Sequence, residues 1–333
     1  VRHQSLFVIV LLSALFIASC GADDGDDAPA DVSITVLDFI STVPNLAPTG
    51  YLVGQVEASA TNGATFTYEL VSESVPGALS VNSSSGLILV ADGSLFNHDQ
   101  NPNISATVEV TRGDAVSAAA ISIDIDKLNN FQLETIDYFK QIALGFEFGN
   151  ASAITRKWRE PLRVFVAGSA NTELREELDV IVDELRELIT DDFEISFVET
   201  REESNYVVFF GSGDQYGQMF PNAAGAVASN WGLFFVNWDS EQYLNSGHMY
   251  VDIFRANELE RKHLLREEFT QSLGLARDSE RHTNSIFQSV WTRTVEYSDL
   301  DRELIRLLYH PEVRAGLDEV QTELALRRIL EAE

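Results

Sequence analysis

Hydrophobic and polar positions follow two different periods along this chain, and the change falls near residue 130. Before it, apolar residues alternate with polar ones in short runs at 32–37, 51–58, 65–70, 87–90, 105–110 and 118–126. Period two, in runs rich in Val, Ile and Thr, predicts half-buried strands. Turn formers separate the runs: Pro48-Thr49-Gly50, Thr61-Asn62-Gly63, Ser85-Gly86, Asp92-Gly93 and Arg112-Gly113-Asp114. Short strands at this spacing predict an all-β sandwich over residues 32–127.

After residue 130 helical and strand patterns alternate. Residues 131–146 read as a helix and 162–167 as a buried strand. Asn171 or Thr172 can cap the next helix, in which Leu174, Leu178, Ile181, Leu185 and Leu188 share one face. Strands are expected at 193–198, 206–210, 231–238 and 248–254, and helices at 300–309 and 317–330. Between them, His263 opens the stretch HLLREEFTQSLGLARDS, where Leu264, Leu265, Phe269 and Leu273 give one apolar face. Gly274 follows, at the place where a helix commonly ends on a positive φ. The whole predicts a multidomain chain: a sandwich followed by an α+β domain over residues 131–333.

The first residues add a location. Arg2 precedes an apolar run at 6–17, which is too short to span a bilayer as a mature helix. The run ends Ile17-Ala18-Ser19-Cys20, which resembles a bacterial lipobox, in which the cysteine is lipidated and becomes the new N-terminus. Residues 1–20 are then a signal peptide, and 21–31, with Asp23, Asp24, Asp26 and Asp27, a solvated acidic tether. Lipidated Cys20 would hold the protein on a membrane. Gly21 behind it, by the same resemblance, points to the outer membrane.

Composition narrows the partners. A net charge of −29 argues against nucleic acid or an anionic membrane surface as direct partners, since both repel it. With one cysteine, no disulfide can form within the chain.

The stretch around Gly274 resembles the active helix of metzincin zinc proteases, HExxHxLGLxHD. Here it reads EExxQxLGLxxD, matching at Glu268, Leu273, Gly274, Leu275 and Asp278. Glu267, Gln271 and Arg277 stand where three histidines would hold zinc. The resemblance implies a zincin-like fold and puts Glu268 in the position of the catalytic base. Gln271 is a poor zinc ligand, and Arg277 cannot be one. His263, Glu267 and Gln271 lie on one helix stripe and, with Asp278, are the candidates for a rebuilt divalent site; His248, His282 and His310 are further imidazoles. The pattern is also similar to a bacterial secreted family of unknown function, and the likeness continues at SIFQ (285–288) and LDRELIRLLYHPEVRAGL (300–317).

The first region resembles a bacterial cadherin-like domain, from APTGYLVGQVEA through LSVNSSSGLILVADGSLFNHDQ to the last strand. Such domains hold calcium between neighbours. Asp99, Asp124 and Asp126, with Asn129, are the candidates for a weak site here, and a calcium-free spacer is the alternative.

These readings lead to an envelope lipoprotein acting as a binding or adhesion module. Its zincin-like cleft would take a protein or peptide partner, with the 231–238 strand accepting it by strand addition. The alternative is a metal-dependent, metallopeptidase-like hydrolase with Glu268 as general base. A structural envelope protein without ligand is the third possibility.

Overall fold

The computed structural model describes residues 33–61, 65–147 and 149–333. Cys20, the leader and the acidic tether lie outside the described residues.

The N-terminal region is built of strands: β1 (Ile34–Val36), β2 (Phe39–Asn45), β3 (Leu52–Gln55), β4 (Ala58–Ala60), β5 (Thr67–Glu73), β6 (Leu79–Val81), β7 (Leu87–Val90), β8 (Asn103–Arg112) and β9 (Ala115–Asn129). A four-stranded sheet, β2-β9-β8-β5, faces a three-stranded one, β3-β7-β6. Val53, Leu79, Ile88 and Val90 from the smaller sheet and Val43, Ile104, Val108, Ile121 and Ile123 from the larger share one apolar core. The run at 51–58 is two strands rather than one. β3 pairs with β7, whereas β4 pairs with β1.

The junction has no loop. β9 runs to Asn129, whose side chain accepts the Gln132 N–H, while the Gln132 side chain accepts the Asn129 N–H. This capping box starts α1 (Asn130–Ala143) at once. Leu128 is already fully buried in the C-terminal core.

The C-terminal region continues with β10 (Lys157–Trp158), β11 (Leu162–Gly168), α2 (Thr172–Leu188), β12 (Ile195–Phe197), β13 (Tyr206–Gly211), α3 (Gly213–Met219), β14 (Gly232–Trp238), β15 (Tyr243–Asp252), α4 (Glu258–Gln271), α5 (Asp299–Leu308) and α6 (Glu319–Leu330). The sheet order is β10-β15-β13-β11-β12, all parallel, with β14 antiparallel on β15. The region is therefore α/β rather than the expected α+β, because α2 carries the crossover that a parallel pair such as β11 and β12 requires. Both faces of the sheet are covered. Along β13, Val208 and Phe210 pack against the helices, while Val207 and Phe209 meet Tyr216, Phe220, Ala223 and Val227 of the α3 segment.

Helix α4 begins at an Asn257–Glu260 capping box, earlier than His263, and packs on β14 and β15. Gly274, at φ +122°, ends the turn after it, and a Cβ there would overlap the Arg156 carbonyl oxygen.

Candidate functional site

β14 is an edge strand. Among the described residues it pairs only with β15, from Gly232 opposite Val251 to Trp238 opposite Leu244, so its other edge is unpaired. That edge borders a cleft of about 1340 Å³. α4 supplies the facing wall through His263, Leu264, Glu267, Glu268 and Gln271, and Ala276 and Asp278 continue it. Phe146 and Glu147, just beyond α1, close one side, and Gln288, Ser289 and Trp291 close another.

His263, Glu267, Glu268, Gln271 and Asp278, singled out from the sequence of the second domain, line this one cleft, whereas His248, His282 and His310 do not. His263 is 2% exposed. Its Nδ1–H donates to the Thr294 carbonyl at 2.6 Å, and its Nε2 lies 3.3 Å from a Glu267 oxygen. Two acceptors at that distance need a shared proton, which His263 or Glu267 must carry. Burial lowers the pKa of the His263 ring, but the Glu267 hydrogen bond and charge outweigh burial and raise it above the usual value. The Gln271 amide donates to Asp278.

Glu268 is different. It is 9% exposed, and no described group hydrogen-bonds to its carboxylate. Burial pushes its pKa well above the carboxylate range, and Glu267, Asp278 and Glu147 add repulsion. Asp278 is pushed up to about 7, first by burial and then by Glu267 and Glu147. Glu147 is raised by burial and by Glu267. Gly232 shapes this corner, since a Cβ on it would stand 2.9 Å from Glu268 Oε1.

Adjacent acids on a helix are usually solvated, yet Glu268 is buried, because β14 lies across it. Arg266 does not pair with the cleft acids; it turns to Glu177 and Glu184 of α2 and stacks over Tyr297. Arg277 donates to the Leu144 carbonyl.

As arranged, the cleft donors do not fit a metal. Gln271 presents an amide nitrogen to Asp278, His263 Nε2 faces Glu267, and among the described residues no three His, Cys, Asp or Glu side chains form a metal-holding group. In the first region, Asp99 is exposed on its loop and lies 3.5 Å from its neighbour His98. Asp124 accepts from Asn103 at 2.8 Å, and Asp126 lies 3.4 Å from Arg327. A cation so close occupies the carboxylate that calcium would need. His248 is buried on the opposite face of the sheet, and His282 bonds Glu134.

Sequence reasoning missed Glu147, Gly232 and Trp291. Trp291 is 51% exposed and stacks edge-on with Trp231 at 5.4 Å. At the far end Trp238 lies over Phe146 at 5.2 Å. Glu147 and Trp291 sit outside regular elements, so no period marked them. The two downstream segments that carried the family likeness meet in the core: Ser285 Oγ donates to Asp301 at 2.5 Å, and the Ile286 N–H to the same carboxylate at 3.0 Å.

No curated protein matches this chain. Among solved structures, protocadherin gammaB7 domains 3–6 in a cis-dimer match with 16% identity and a TM-score of 0.27, covering 29% of this chain and 25% of that one. Protocadherin gamma B2 extracellular cadherin domains 3–6 match with 17% identity, TM-score 0.27, and the same coverage. The chain spans about a quarter of the length of these relatives. Residues 132–328, more than half of the sequence and the whole of the cleft, match a family model described as a protein of unknown function (DUF2927), and the chain belongs to that family.

Proposed function

We propose that the protein is an envelope lipoprotein, anchored through Cys20, whose C-terminal region captures an extended polypeptide in a zincin-like cleft that has lost metal chemistry. The observation that carries this reading is the unpaired edge of β14 running along the cleft opposite α4. An edge strand offers a row of free backbone N–H and C=O groups, which an added strand satisfies. Trp231 and Trp291 at one end and Phe146 and Trp238 at the other supply apolar anchors. The zincin-like reading is supported by the order strand, helix, strands, then α4, and by the place of Glu268 on α4 beneath β14. The strand-built N-terminal region acts as a cadherin-like spacer or adhesive module, and its loop-free passage into α1 gives it a firm seat.

Strand addition has a signature. Short extended peptides are titrated against the chain, with single N-methyl groups placed along the backbone. Methylation at alternate positions is expected to abolish binding, since only every second amide faces the partner strand. Equal affinity for all methylated and unmethylated peptides would remove strand addition as the mode.

A further inference from the structure

Resting on the peptide-capture reading, we infer that this cleft selects a basic side chain, Lys or Arg, which sets its cation among Glu268, Glu267, Asp278 and Glu147.

Glu268, Glu267, Asp278 and Glu147 line the cleft, and among the described residues no Lys or Arg lines it with them, while His263 lies 3.3 Å from Glu267. The two arginines beside them in sequence are spent elsewhere, Arg266 on α2 and Arg277 on a backbone carbonyl. Acid clusters alone are common on acidic proteins. Glu268 makes this one different, because the residue is nine-tenths buried, borders the cleft and accepts no side-chain hydrogen bond from any described residue. A buried carboxyl group without a donor resists ionisation, and an incoming ammonium or guanidinium offsets that cost and lets it give up its proton. Gly232 leaves the approach open, since any side chain there would crowd Glu268 Oε1. A peptide laid on β14 would pass directly over this point. The same charge argument excludes the chain's own acidic 21–31 segment as occupant, with its five aspartates.

The test uses the full chain and a set of otherwise identical extended peptides carrying Lys, Arg, norleucine or Glu at one position, with chelator present. Titration calorimetry reports binding. The Lys and Arg peptides are expected to bind about tenfold or more tighter than norleucine, and the Glu peptide weakest, as for a charge-assisted hydrogen bond in a buried site. In Glu268→Gln the preference should fall to about twofold or less, while Trp291→Ala should weaken all four peptides alike. Thermal melts of both variants separate lost binding from lost fold. If all four peptides bind wild type equally, the charge selection is wrong and peptide capture stands. If none binds, both fall. If Lys and norleucine peptides become equal only when zinc or calcium replaces the chelator, the acids hold a metal ion and the basic-residue inference is overturned.

Discussion

Asp278 and His248 pull the stability of this molecule in opposite directions as pH changes. An unfolded aspartate titrates near 4, whereas Asp278 is pushed up to about 7 by burial and by Glu267 and Glu147. Between those values the folded state holds the extra proton, so stability falls as pH rises through the window. Asp278→Asn should therefore gain about 1–3 kcal/mol over wild type at pH 8 and little at pH 4, read by urea unfolding at both. His248 is pushed down to about 4, first by burial and then by Arg201, and its Nδ1 meets the Tyr216 hydroxyl at 2.5 Å. Here the unfolded state binds the proton between about 4 and 6.5, so stability is lost as pH drops through that range. His248→Phe should flatten this acid limb by about 1–3 kcal/mol, and an unchanged limb would place the titration elsewhere.

The elements show why some of this was readable. Strand β7 and helix α2 fall where the periodicity put them, because an apolar face buried in a core needs its period intact. β2 escaped notice: it reaches the core through Val43 and, partly buried, Phe39, and Ser41, Thr42 and Pro44 between and beside them break the apolar pattern. β10 is two residues long and offers no period at all. α4 was legible as a motif but not as an environment. Its sequence gives Glu267 and Glu268 side by side, and only the passage of β14 at Gly232 makes one buried and leaves the other facing His263. Gly274 was legible for its helix-ending role, while its close approach to Arg156 was not. Gly274→Ala combines a positive φ with overlap of a backbone carbonyl, and is expected to cost about 3 kcal/mol or more, visible as a lower melting temperature and less soluble protein. Retention of the wild-type melting temperature would mean that the loop between Gly274 and Asp278 relaxes freely.

At the scale of the whole molecule, the two regions are joined as one continuous strand-to-helix passage. Leu128 is buried in the C-terminal core and Asn129 caps α1, so a fragment beginning at residue 131 lacks both. Such a fragment should be less stable than one beginning at 127 by about 2–4 kcal/mol, the sum of a lost cap and a lost buried leucine. The Lys127–Glu331 and Arg327–Asp126 pairs across the junction are partly exposed and should contribute little. Among the described residues no helix is long and apolar enough to cross a membrane. The measurement that meets the central claim most directly is amide hydrogen exchange of the full chain with and without a bound extended peptide. The account predicts new protection at β14, at those amides between Gly232 and Trp238 that are not bonded to β15. Saturating peptide that leaves β14 exchange unchanged, or protects another surface instead, would contradict it.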